Sequence, residues 1–387
     1  MDPSSPNPQP APVSRRQVVL RDLLDDLLWP KLLRAGAMSL RPERVAIAYL
    51  TILLVSLVMH AAALVPGAEA FLTKSGELFS AQADRATSAV MAIDLQQLGT
   101  AFVVYFKGLH ELVGASPWVA LACAAPWLLI APLGASAICR LTAVETAHRV
   151  ITSWPVGVGF ALRAAKASIL AVLGPVILLG LGVLGLAIVG AALFSVGGLG
   201  VVGALFFFIA LAACAGMVLL GLGWVLGLPM FVPSVACEGP DPIDAVQRVL
   251  AYLVGRPLRI AAYSLVLIAE LVIVASVVGI VVHATLDLAS WGLTLFCGPD
   301  ARAALSGHGD GLTGAWKSAA RVAQFWREAF LGLVPAVVFS FVCSGWTIAY
   351  LLIRQLHDGQ DRSEIWMPGM IPGTLAQDAA SDDDDDE

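Results

Sequence analysis

An all-α polytopic transmembrane bundle of about six spans, with interfacial amphipathic helices, is the fold class this sequence predicts. Three observations predict it. Ala167–Cys237 contains no Asp, Glu, Lys or Arg. The chain is 58% hydrophobic and 13% charged, whereas soluble domains run at about 45–50% and about 25%. The apolar stretches are long enough for helices that cross a hydrocarbon core of about 30 Å. They are not the alternating pieces of about ten residues that build an outer-membrane barrel.

The chain divides into a Pro/Ser-rich tail at 1–20, a transmembrane helical domain at 21–366 and an acidic tail at 367–387. The first tail, MDPSSPNPQPAPVS at its start, has no apolar face and is expected to be disordered. The acidic tail ends in DDDDDE, which accounts for the whole formal net charge of −6. Such a block repels itself and stays solvated. No signal peptide is expected, since the first apolar run starts near Val45 and is too long for an h-region.

The expected spans are Val45–Val65, Trp118–Cys139, Ser168–Phe194, Val201–Val232, Ile260–Ala284 and Ala329–Ile353. The third and fourth are joined by the glycine turn Ser195–Gly200. The fourth is longer than a bilayer needs, so it must tilt or break, with Gly221, Gly223, Gly227 and Pro229 marking the expected break. Short elbow helices are expected before three spans. In the clearest, Asp241 caps, Pro242 takes the first helical position, and Gly255 and Pro257 end the helix. Its apolar side is Ile243, Val246, Val249, Leu250 and Leu253; Asp244, Gln247 and Arg248 lie opposite and are expected to face water and headgroups. Ser153-Trp154-Pro155 opens a second elbow, and Leu23, Leu24, Leu27 and Leu28 belong to a third. The loops at 66–117 and 285–328 hold two more amphipathic helices, near 94–114 and over Gly314–Glu328.

Orientation follows from the 23 Lys and Arg. With the N-terminus in the cytoplasm, the inner segments carry 16 of them and the outer loops seven. Arg41, Arg44, Arg140, Arg163, Lys166, Arg256, Arg259 and Arg354 sit at proposed inner boundaries, the positive-inside pattern. A three-span reading of the uncharged run would move Arg256 and Arg259 outside.

Most chemical motifs fail on their surroundings. GLGVLG at Gly180–Gly185 and GLGVVG at Gly198–Gly203 match G-x-G-x-x-G, but the first acid after them is Glu238, so close helix packing explains them better than dinucleotide binding. GHGD at Gly307–Asp310 lacks a second intramembrane carboxylate. The six cysteines form no C-x-x-C pair and read as small buried hydrophobes, and no histidine shows metal spacing. No cofactor, metal, catalytic activity or nucleic-acid partner is expected. Membrane lipids are the expected partners, together with a membrane-protein partner, and oligomeric state is left open.

Glu270 survives this filter. It falls ten residues into the fifth expected span, where a charged carboxylate costs about 2.5–3.5 kcal/mol. It marks either a polar pathway or a carboxyl bonded to a neighbouring helix, with Ser340, Ser344 and Thr347 as candidate partners.

Three stretches carry a resemblance: GASAICRLTAVETA (134–147), GLPMFVPSVACEGPDPIDAVQRVLAYLVGRPLR (227–259) and AYLLIRQLHDGQDRSEIW (349–366). Their order resembles a bacterial family of multi-pass membrane proteins of uncharacterised role. The middle one is similar to the membrane domain fused to some glycerophosphodiester phosphodiesterases. The resemblance implies a location in the bacterial cytoplasmic membrane and no activity, because the catalytic barrel of those enzymes has no counterpart here. Two roles are therefore expected: a non-catalytic scaffold or accessory component of the cell envelope, or a small-solute or lipid permease using a polar cavity near Glu270.

Overall fold

The computed structural model describes residues 29–92, 94–195, 197–306 and 312–367. The tail at 1–20, the expected elbow at Leu23–Leu28, the GHGD motif and the acidic tail beyond Met367 lie outside these residues. Every regular element among the described residues is helical, and six helices are long and apolar enough to cross a membrane. The chain is a multi-pass membrane protein with an all-α bundle.

After a single 3-10 turn at Trp29–Lys31, α1 spans Arg34–Ser39 and α2 spans Pro42–Ala62. Pro42 can open α2 because its missing N–H would lack an intrahelical partner there. Two helices follow, α3 (Ala68–Met91) and α4 (Leu95–Ala115). They pair as a hairpin, with the Phe79 and Tyr105 rings edge to face at 6.3 Å. Asp94 caps α4 by accepting from the Gln97 N–H at 2.9 Å. α4 matches the expected amphipathic helix; α3 is an addition to the sequence reading.

The second span is α5 (Pro117–His148), and the elbow α6 (Trp154–Arg163) leads into the third, α7 (Ala165–Phe194). A short α8 (Gly197–Leu205) precedes the fourth span, α9 (Phe207–Glu238). The expected break at Gly221–Pro229 does not occur: α9 runs through Pro229 and Pro233, and the interruption falls at Phe206 instead. Apolar surroundings favour retaining the remaining backbone hydrogen bonds around each proline. Of the glycines in the two G-x-G-x-x-G matches, Gly182 lies against Met217 and Gly203 against Leu193 and Phe194. Gly180 and Gly185 have open space beside them, so only part of the motif serves packing.

Gly239, at φ 112°, turns the chain out of α9 into the elbow α10 (Pro242–Gly255). Asp241 caps α10 as expected, accepting from the N–H groups of Ile243 and Asp244 at 2.9 and 3.3 Å. Pro257 then opens the fifth span, α11 (Pro257–Thr294). Its 38 residues extend about 57 Å at 1.5 Å per residue, well beyond the hydrocarbon layer. The short α12 (Pro299–Ser306) and the amphipathic α13 (Gly314–Leu331) pack together and lead into the sixth span, α14 (Leu333–His357).

Packing is uneven along the spans. α2 begins and α14 ends at one end of the bundle, which carries Arg41, Arg44, Arg140 and Arg354 and is called the basic end below. There Ala137–Glu145 of α5, Met230–Glu238 of α9 and Ile348–Arg354 of α14 are buried at every residue. A helix hidden on all sides for two turns must be ringed by others, and α1, α6 and α10 complete the ring. Elsewhere the spans turn Leu, Ile, Val and Phe outward, as Ile177, Leu181 and Ile188 of α7 and Phe208, Leu211 and Leu219 of α9 show. Helices apolar on every face fit a hydrocarbon environment.

Candidate functional site: polar ties at the basic end

The three stretches that carry the resemblance meet at the basic end. α9 ends in Glu238, whose side chain is 3% exposed. Its Oε1 accepts from the Tyr350 hydroxyl at 3.0 Å and from Nη1 of Arg354 at 2.9 Å, both on α14. The hydroxyl of Ser234, one turn earlier in α9, donates to the Tyr350 oxygen at 3.1 Å. Arg248 of α10 reaches the other Glu238 oxygen at 3.7 Å, bonds Asp244 through Nε at 2.8 Å and approaches Asp358 at 3.8 Å. The Tyr252 hydroxyl, one turn further along α10, donates to Asp358.

This corrects one sequence expectation. The polar side of α10 does not simply face water and headgroups: Arg248 turns inward and links two helices with the segment after α14. That segment folds back because Arg354 captures it. Nη2 of Arg354 donates to the carbonyls of Asp361, at 2.9 Å, and Glu364. The Trp366 N–H then donates to the Cys237 carbonyl at 2.8 Å, and Ile365 is buried. Arg140 of α5 donates to the Ala236 carbonyl at 3.0 Å and lies 5.0 Å from the Phe160 ring and 6.0 Å from that of Trp366. A guanidinium so placed gains cation–π attraction while remaining paired.

Electrostatics outside the spans follow from these contacts. Burial, then the hydrogen bond and charge of Asp358, push the Tyr252 hydroxyl well above its ordinary pKa. Burial opposes the charge on Arg248, but Glu238 and Asp244 outweigh it and raise its pKa. Asp361 is held below the usual carboxylate range by the Ser363 N–H and hydroxyl.

A second knot ties α2 to α5. Both Glu145 oxygens are taken, one by Arg41 at 2.6 Å and the other by Arg44 at 2.5 Å. Arg44 also donates to the carbonyls of Met38 and Leu141. Apart from the Arg248–Asp244 pair within α10, the side-chain ion pairs in these knots join different elements, so their chemistry is mainly cross-linking.

Glu270 of α11 stands apart from both knots. Its Oε1 accepts from the Gly36 N–H at 2.8 Å. Gly36 is the third residue of α1, whose first N–H groups have no intrahelical partners. The residue at the cap position is Leu33, which has no side-chain acceptor. Glu270 therefore caps α1 from another helix, its carboxyl oxygen supplying the acceptor that Leu33 lacks. Gly36 allows the approach: a Cβ there would lie 2.8 Å from Oε1.

The hydroxyls named from the sequence are engaged elsewhere. Ser340 donates to the Ser39 carbonyl at 2.8 Å, Thr347 to the Cys343 carbonyl at 2.7 Å, and Ser344 receives the Thr142 hydroxyl at 3.2 Å. The site expected from Glu270, Ser340, Ser344 and Thr347 is thus dispersed into separate ties. The second Glu270 oxygen, Oε2, is buried and has no hydrogen-bond partner among the described residues. Cys139, Cys237 and Cys343 are buried in the same core. Among the described residues no group of His, Cys, Asp and Glu is arranged to hold a metal. No family model, no curated protein and no solved structure matches this chain.

Proposed function

We propose that this protein is a non-catalytic scaffold or accessory component of the bacterial cell envelope. It resides in the cytoplasmic membrane with both termini, and hence the basic end, in the cytoplasm. The observation that carries the proposal is the capping of α1 by Glu270: the one carboxylate expected to mark a pathway holds a backbone amide in place. Among the described residues, five cavities of about 290–400 Å³ are lined by side chains other than Glu270. The orientation rests on the 16-to-seven division of Lys and Arg, and the bacterial inner membrane on the resemblance.

The competing reading is a small-solute or lipid permease working through Glu270. It is favoured by the buried, unpartnered Oε2, since an acceptor without a donor is unusual in a packed interior. Proteoliposomes separate the two. The scaffold reading expects no protein-dependent flux of protons, small solutes or fluorescent phospholipid. Flux by the wild type that disappears in Glu270→Gln would replace it with the permease.

A further inference from the structure

We infer that the basic end holds a binding site for a phosphate group. A cavity of about 320 Å³ opens between the turn before α1, the end of α5 and the segment after α14. Lys31, Arg34, Arg149 and Arg362 line it, against a single carboxylate, Asp361. Its floor is apolar, formed by residues such as Ile348 and Leu352. Four cations from three separate parts of the chain converge on this small volume. The Asp361 carboxylate accepts from Ser363 within its own turn, at 2.8 and 2.7 Å.

Among the described residues none of Arg34, Arg149 and Arg362 makes a salt bridge within 4 Å, in contrast to Arg41, Arg44, Arg248 and Arg354. The Nε–H of Arg362 is screened from solvent and has no acceptor there, a condition native structures generally relieve with an ion, a water or a ligand. Arg149 adds a backbone observation. It ends α5 in the left-handed conformation at φ 57°, where glycine is the usual residue. Among the described residues it is the one non-glycine with positive φ. An arginine stands where glycine would relax the chain.

Guanidinium groups converging from several directions suit the tetrahedral array of acceptors on a phosphate. The volume lies at the lower limit of about 300 Å³ for ligand pockets, which fits a phosphomonoester or a lipid headgroup rather than a nucleotide. Phosphate recognition does not depend on the scaffold reading. Only the lipid as its source relies on the cytoplasmic orientation, which would put the pocket at the anionic inner leaflet.

The test uses the full chain in dodecyl maltoside with two probes: inorganic phosphate, followed by calorimetry at low ionic strength, and phosphatidylglycerol against phosphatidylcholine, followed by native mass spectrometry. The wild type should retain phosphatidylglycerol roughly tenfold better than phosphatidylcholine, or bind inorganic phosphate saturably. Retention of phosphatidylglycerol alone identifies the source as a headgroup; binding of both identifies a site open to free phosphate. The triple variant R34Q/R149G/R362Q should lose the binding, while R163Q/K166Q, altered elsewhere at the same end, should keep it. Should the triple variant fail to fold, R149G alone, which eases the backbone, should still weaken binding several-fold. Failure of both probes to bind overturns the site. So does undiminished binding in the arginine variants, or an equal loss in R163Q/K166Q.

Discussion

The Oε1 of Glu238 accepts a 2.9 Å hydrogen bond from Nη1 of Arg354, 116 residues further along the chain. Both side chains are almost wholly hidden, so each ion depends on the other. Removing one partner of such a pair leaves an uncompensated charge and costs about 3–5 kcal/mol. Glu238→Met and Arg354→Met should each lower the unfolding free energy in detergent by about that amount. The double variant E238M/R354M should be less destabilised than either single change. Additive losses in the double-variant cycle would show that the pair is not coupled.

Glu270 makes a different prediction. Glu270→Gln keeps an oxygen acceptor for the Gly36 N–H and should leave thermal stability close to that of the wild type. Glu270→Leu removes the acceptor and should cost about 1–3 kcal/mol, the penalty for a buried donor left unmet. Gly36→Ala should be destabilising too, because the new methyl would meet Oε1 at 2.8 Å.

Tyr252 sets a pH dependence. Its folded pKa is raised, so the neutral hydroxyl is the stable folded form. In an unfolded chain a tyrosine ionises near its ordinary value of about 10. The Tyr252 contribution is therefore fully present below about pH 10 and is lost as pH rises above it. Melting temperatures measured between pH 8 and pH 11 should fall more steeply for the wild type than for Tyr252→Phe.

Topology is testable with one engineered cysteine. Gln247 is exposed on α10, and the native Cys297 is exposed beyond the far end of α11. With the other five cysteines replaced by serine or alanine, an impermeant maleimide added to intact cells should label Cys297 and leave Q247C untouched until the cells are permeabilised. The reverse pattern would put the basic end outside.

The six spans were legible because hydropathy over about 20 residues is a local property. The α10 elbow was legible because Asp241, Pro242, Gly255 and Pro257 are local signals too. What was not legible depends on partners distant in the chain. Glu270 could be singled out by its depth, but its bond to Gly36 joins residues 234 apart. The available hint was a helix start at Leu33–Arg34 with no capping side chain. Arg140 and Arg354 each looked like a boundary arginine, and Arg248 like part of an elbow's water-facing side, because charge counts and helix periodicity do not see what folds over a side chain. The interruption at Phe206 lies inside an unbroken apolar run, where composition carries no mark. α3 was hidden by its many polar residues, since its apolar face is narrow and lies against α4.

The fold-back of residues 358–367 bears on how the molecule is made. Ile365 and Trp366 close a core that also contains pieces of α5 and α9, yet they come more than a hundred residues after both. A ribosome makes them only after all six spans have been synthesised. Until that moment Arg354 lacks the carbonyls of Asp361 and Glu364, and Arg140 lacks the Trp366 ring. The core at the basic end therefore cannot close before Trp366 has been made, and a chain cut after His357 would leave that surface unsealed.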